Sequence, residues 1–210
     1  IYFLSQQGSL EASNLYAVHE RFIVGAYTYI IYLVKAVVPY LMSPLYPYPG
    51  TIPWHMYAVA PLVLLVIAAG WYAHKKNNRT IVYGLLFFTV NVAFLLQVLG
   101  AGQGFLADRF TYIPYLGLFH IAGFYFGKAI VKWPKRRQLL LGGAGAYLIV
   151  LGIVSWQQCK IWKNGGTMWS HVIEHYDNSP LPFGNRGNFY RDNNQYDKAL
   201  RDYNRAIELD

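Results

Sequence analysis

The feature that most constrains this chain is its alternation of membrane-length apolar runs with short loops that hold the charges. Apolar stretches occupy residues 22–42, 56–73, 80–100, 112–131 and 139–156. At 1.5 Å per residue, about 20 helical residues cross the roughly 30 Å of a bilayer's hydrocarbon core. Backbone in hydrocarbon must satisfy its own N–H and C=O groups, so segments of this kind fold as helices. Charged residues make up 13% of the chain, against about 25% in a soluble domain. Nineteen Tyr, twelve Phe and six Trp suit the aromatic belts at the two headgroup levels. The expected fold class is all-α: a polytopic α-helical membrane domain over residues 1–158, with four or five spans. The count depends on 22–42, which Lys35 and Pro39 interrupt. A Lys inside a span costs about 2.5–3.5 kcal/mol unless it snorkels, pairs or faces a cavity, so this segment is either a span facing the protein interior or a re-entrant helix.

The charges give a topology. Basic clusters at 74–79 and 128–137 lie two spans apart and therefore on one side, which the positive-inside rule makes cytoplasmic. Loops 43–54 and 100–111 and everything after Trp156 then face away from the cytoplasm, most simply across a bacterial inner membrane. The glycosylation sequon at Asn78 falls on the unmodified face. The net charge of +8 is spread over loops and forms no contiguous patch, which argues against nucleic-acid binding. One cysteine, Cys159, excludes an internal disulfide. The first residues lack the pattern of a signal peptide, and both ends read as cut from a longer protein.

The tail changes character. Residues 159–182 read as a linker and a capping helix, with Trp169, Val172, Ile173 and Tyr176 forming an amphipathic stripe. From 183 to 210, Gly187, Tyr190, Tyr196, Ala199, Tyr203 and Ala206 follow the spacing of a tetratricopeptide repeat. Small residues let two antiparallel helices approach, and tyrosines are expected to fill the groove between them. A solenoid of this kind needs about three repeats, so further repeats are expected beyond residue 210.

Between two apolar runs lies GAGQGFLADRFTYIP, residues 100–114. Asp108 and Arg109 there are either a local ion pair or helix cap, or a phosphate site. In the second case the guanidinium fork matches phosphate oxygens and Asp108 orients it or an acceptor hydroxyl. Gly100, Gly102 and Gly104 permit a close backbone approach or simply a turn. Lys35 is a snorkelling side chain or a second phosphate contact. The assigned substrate-binding candidates are Arg109, Asp108, Lys35 and Tyr112. His171-Val-Ile-Glu174-His175 reads H-x-x-E-H, the inverted zinc-peptidase pattern. No third ligand on a supporting helix follows it, so it is read as the polar face of the capping helix and no metal ligand is assigned.

LADRFTYIPYLGLF at 106–119, inside a polytopic domain and ahead of a tetratricopeptide repeat, resembles the transmembrane-and-tetratricopeptide-repeat family. These are protein O-mannosyltransferase-like proteins and bacterial relatives, with a C-type glycosyltransferase fold. The run at 108–114 is similar to the family's DRYxYxP signature, with Phe110 in place of the usual Tyr. Lys35, Pro39 and the Ser43-Pro44-Leu45-Tyr46-Pro47 string are similar to the segment that bacterial members carry upstream. The resemblance implies a sugar donor linked to polyprenyl phosphate, an acceptor outside the cytoplasm and repeats that bind a protein partner. It implies no further cofactor and leaves a divalent metal open. The family's catalytic acidic loop has no counterpart here, so no catalytic residue is assigned. The alternative is a membrane-anchored repeat scaffold without activity. A transporter would show internal symmetry between span groups, which is not seen.

Overall fold

A computed structural model describes residues 16–96 and 104–210, and Gly100 and Gly102 lie outside that range. The described chain is all helical, with no strand among the described residues. Helix α1 runs Val18–Val37. The Glu20 carboxylate opens it by accepting the Ala17 N–H at 2.8 Å. The helix stops short of residue 42 because Val38 precedes Pro39, whose ring pushes the preceding residue to extended backbone; Val38 sits at φ −125°, ψ 95°. Residues 38–53 are irregular. Helix α2 is Trp54–Lys75, with a tight turn at Ala60–Leu62 around Pro61.

Asn77 makes the reversal into α3 at φ 52°, a left-handed conformation that Asn tolerates. Asn78 caps α3, Arg79–Ala93. Its amide also donates to the Tyr125 hydroxyl, so the sequon side chain is held by helix contacts. A short turn at Asp108–Thr111 leads into α4, Pro114–Lys132, with Pro114 in the first turn where its missing N–H is tolerated. Helix α5 is Pro134–Ile161.

Helices α3 and α4 touch through glycines. A Cβ on Gly84 would lie 2.5 Å from the Gly117 carbonyl oxygen, so a side chain there would force the pair apart. Against them packs α1, with Tyr32 and Phe88 fully buried. Tyr29 meets Phe88 edge-on at 5.2 Å between centroids, and its hydroxyl shares a hydrogen bond with Thr89 Oγ1 at 2.8 Å. The outer faces are different. Leu64, Leu65 and Ile67 on α2 are exposed, and the most apolar stretch of α5 has no buried residue. These two helices are long and apolar enough to cross a membrane, and α3 is a shorter apolar helix.

The C-terminal part comprises α6 (Gly165–His175), α7 (Pro180–Asp192) and α8 (Tyr196–Leu209). A reciprocal cap begins α6: Asn164 Oδ1 accepts the Thr167 N–H at 2.8 Å while Thr167 Oγ1 accepts the Asn164 N–H at 3.2 Å. Helix α6 lies on α7 with Gly166 beneath the Phe189 ring. Helices α7 and α8 form an antiparallel pair in which Tyr203 lies over Gly187 and Ala199 is buried. Of the tyrosines expected in the groove, Tyr203 fills it, but Tyr196 points to solvent at 64% exposure. Tyr196 begins α8, where no facing turn of α7 covers it. A bidentate ion pair braces the two helices: Arg186 Nε and Nη2 donate to Asp202 at 2.7 and 2.8 Å.

Candidate functional site

The irregular segment after α1 folds back under the turn that opens α4. Two backbone hydrogen bonds fix the register: Tyr46 N–H to Leu106 O at 3.2 Å and Phe105 N–H to Tyr46 O at 3.0 Å. Gly104 makes this approach possible, since a Cβ there would stand 2.5 Å from the Tyr46 carbonyl oxygen. Its closeness therefore serves a contact between two segments of the same chain.

That contact delivers Asp108 to Lys35. Lys35 Nζ stands 3.0 and 3.1 Å from the two carboxylate oxygens, with side-chain exposures of 5% and 10% for the pair. The carboxylate also accepts the Tyr46 hydroxyl at 2.6 Å and the Ser43 N–H at 2.9 Å. Oδ2 thus accepts from all three donors and Oδ1 from Lys35 alone, so the carboxylate's charge is met where it stands. Lys35 in turn donates to Tyr46 and to the Leu41 carbonyl. Leu41 has φ 42°, a costly conformation for a branched residue. It turns its carbonyl toward Lys35 and the Tyr46 hydroxyl. Burial and, second, the Asp108 charge raise the Tyr46 phenol above its ordinary range, so it stays protonated as a donor. The same two causes push Tyr176 up to about 12. Tyr176 packs edge-on against Tyr46 at 5.7 Å.

Arg109 takes a separate course. It is exposed, donates Nη1 to the Pro44 carbonyl at 3.2 Å and stacks over Phe110 at 4.9 Å. It meets no carboxylate at ion-pair distance among the described residues. Asp108 and Arg109 are thus neighbours in sequence with different partners. A cavity of about 240 Å³ opens between them and α5, and Arg109, Asp108, Lys35 and Tyr112 all line it. Because Lys35 and Asp108 cancel, Arg109 supplies the local net positive charge. The volume is below the roughly 300–1,000 Å³ typical of drug-sized ligands and suits one small group.

Four residues of this arrangement have no place among the candidates from sequence. Ser43 and Tyr46 hold the Asp108 carboxylate. On the far side, Gln158 Nε2 and the His171 ring reach the Met42 carbonyl, each at 3.1 Å. The proline-dense string at 43–47 is the only sequence signal for the first two. Nothing local marks Gln158, and His171 is marked only as part of the H-x-x-E-H pattern, not as a partner of Met42. The H-x-x-E-H residues lie on one face of α6, with donor atoms of His171, Glu174 and His175 all within 4.8 Å of one another.

The family model for the tetratricopeptide repeat matches residues 181–210, which is α7 and α8. The chain therefore carries a tetratricopeptide repeat, a protein-interaction module, near its C-terminal end. No curated protein and no solved structure matches the chain.

Proposed function

We propose that this chain is the C-terminal part of a membrane glycosyltransferase, related to the O-mannosyltransferase-like proteins. In this reading it holds the phosphate of a polyprenyl-linked sugar donor. The observation that carries the proposal is an Arg109 guanidinium that meets no acid at ion-pair distance among the described residues, on the wall of a small cavity whose Lys35 and Asp108 charges neutralise each other in place. A guanidinium fork binds two phosphate oxygens at once. When the sugar is displaced at its anomeric carbon, charge develops on the departing phosphate, and a fixed cation there stabilises it. Asp108 and Lys35 then act by shape: their ion pair fixes the 41–46 loop and presents Arg109. Tyr112, mostly exposed at the mouth, contacts the donor as it enters. The acidic residues that would activate an acceptor belong to an external loop outside this chain.

The membrane placement belongs to the same proposal. The apolar outer faces of α2 and α5 meet lipid, and the exposed basic side chains near 74–79 and 128–137 face the cytoplasm. The cavity and the repeat then face the other side, with residues 1–158 as the membrane domain and 159–182 as the connection. The repeat recruits or positions a protein acceptor or assembly partner. A scaffold without transferase activity is the second reading, favoured by the repeat being the part matched to a known family.

The test is sugar transfer from a radiolabelled polyprenyl-phosphate donor by the complete protein, wild type against Arg109→Ala. The proposal expects a loss of transfer of about 10²-fold or more, as for removing one charge-stabilising donor, at normal expression. Absence of transfer by the wild type with every donor would leave the scaffold.

A further inference from the structure

We infer that His171, Glu174 and His175 form a binding site for one divalent transition-metal ion of the zinc class on the exposed face of α6. The spacing i, i+3, i+4 puts all three side chains on one helical face. The two imidazoles stand 4.7 Å apart between ring centroids, and one donor atom from each residue falls within a 4.8 Å cluster. Zinc–nitrogen and zinc–oxygen bonds are about 2.0–2.2 Å, so a swing of the exposed Glu174 side chain and a small approach of the two rings close the set around one ion. Two imidazoles and a carboxylate are a common protein donor set for zinc, and solvent completes the coordination.

A second observation separates this cluster from an ordinary polar face. Each imidazole already has one nitrogen engaged by a backbone carbonyl: His171 Nε2 by Met42 O at 3.1 Å and His175 Nδ1 by His171 O at 3.0 Å. A carbonyl only accepts, so the engaged nitrogen carries the proton. The tautomers follow: the free lone pairs are on His171 Nδ1 and His175 Nε2. Metal-bound histidines are held in this way, their second nitrogen donating to a carbonyl or carboxylate. Glu174, the third donor, makes no hydrogen bond or ion pair among the described residues and is free to coordinate. Binding has a structural consequence. A metal on Nδ1 makes the opposite N–H of His171 a stronger donor to Met42, tightening α6 against the loop that carries Ser43 and Tyr46.

Zinc binding to the full chain in detergent micelles, by competition with a chromogenic chelator, tests the site independently of any transferase activity. One ion per chain is expected. His175→Ala and Glu174→Gln, both at exposed positions, should each weaken binding by at least about tenfold, since losing even a group that only orients a ligand costs about 10–100-fold. Cys159→Ser should leave the affinity unchanged, and cobalt in place of zinc should give the visible bands of a nitrogen- and oxygen-ligated ion. Undiminished binding in His175→Ala, loss of binding in Cys159→Ser, or no stoichiometric binding by the wild type would each overturn the assignment. His171→Ala would not separate the two roles, because it also removes the contact to Met42.

Discussion

Two ion pairs, one in each part of the molecule, are built in opposite ways. In the repeat, Arg186 and Asp202 are 16 residues apart, on adjacent helices joined by a short turn, so forming the helical hairpin delivers one to the other. In the helical part before the repeat, Lys35 and Asp108 are 73 residues apart. They meet because an irregular segment and a short turn pair through Tyr46, Gly104 and Leu106. The first pair braces an element that its own sequence already specifies. The second is where two distant segments are joined, and its neutrality leaves Arg109 as the cation facing the cavity. A local pair can be lost with damage confined to one hairpin, whereas loss of the non-local pair should unmake the site.

The largest expected effect follows from that difference. Removing Asp108 alone strands the buried Lys35 ammonium, and breaking a buried pair from one side costs about 3–5 kcal/mol. Asp108→Ala should therefore sharply lower the unfolding midpoint of the full chain in detergent. Replacing both partners, Lys35→Met with Asp108→Leu, should recover most of the loss, since apolar replacement of a whole buried pair is often neutral or stabilising by about 1–4 kcal/mol. A double variant as unstable as Asp108→Ala would mean that the Tyr46 and Ser43 hydrogen bonds, and not the charge pairing, hold the loop.

A smaller effect is expected in the repeat. Asp202 is buried and accepts twice from Arg186. Arg186→Ala should cost about 1–3 kcal/mol, the range for a charge-assisted hydrogen bond lost from a partly exposed donor. The loss should appear as selective proteolysis after residue 180 while the rest of the chain stays intact. A global drop in stability would show that the two parts are coupled more tightly than their separate networks suggest. The smallest effect belongs to Arg205 and Glu208, an exposed pair one helical turn apart at 2.9 Å. Arg205→Ala should leave the unfolding midpoint where it was, as for most surface ion pairs.

These contrasts also explain what could be read without coordinates. The repeat was legible because its determinants are local and periodic: Gly187 under Tyr203 and Ala199 in the seam follow helical spacing. Even there the Arg186–Asp202 brace carries no signal, since charged residues on a repeat read as solvent-facing. Asp108, Arg109, Lys35 and Tyr112 were singled out as ionisable or signature residues near apolar segments, and the structure puts them on one cavity. Who pairs with whom was not legible. Adjacency suggested Asp108 with Arg109, but the turn at Asp108–Thr111 sends the two side chains to different partners. Leu41 at positive φ, and the Met42 carbonyl that takes two distant donors, leave no mark in a linear sequence. The end of α1 was legible in principle, because a residue before proline resists helix, yet the apolar run through residue 42 outweighed it.

In the proposed function Arg109 is a ligand group, while Asp108 and Lys35 are its frame. The most direct measurement is the unfolding midpoint of the full chain with and without added polyprenyl phosphate, for wild type and Arg109→Gln. A ligand that binds only the folded state raises the midpoint. The expected result is a rise for the wild type, and for Arg109→Gln a normal midpoint without ligand that fails to rise with it. A variant already destabilised without ligand, or one that responds as fully as the wild type, would contradict the account and return Arg109 to a structural role.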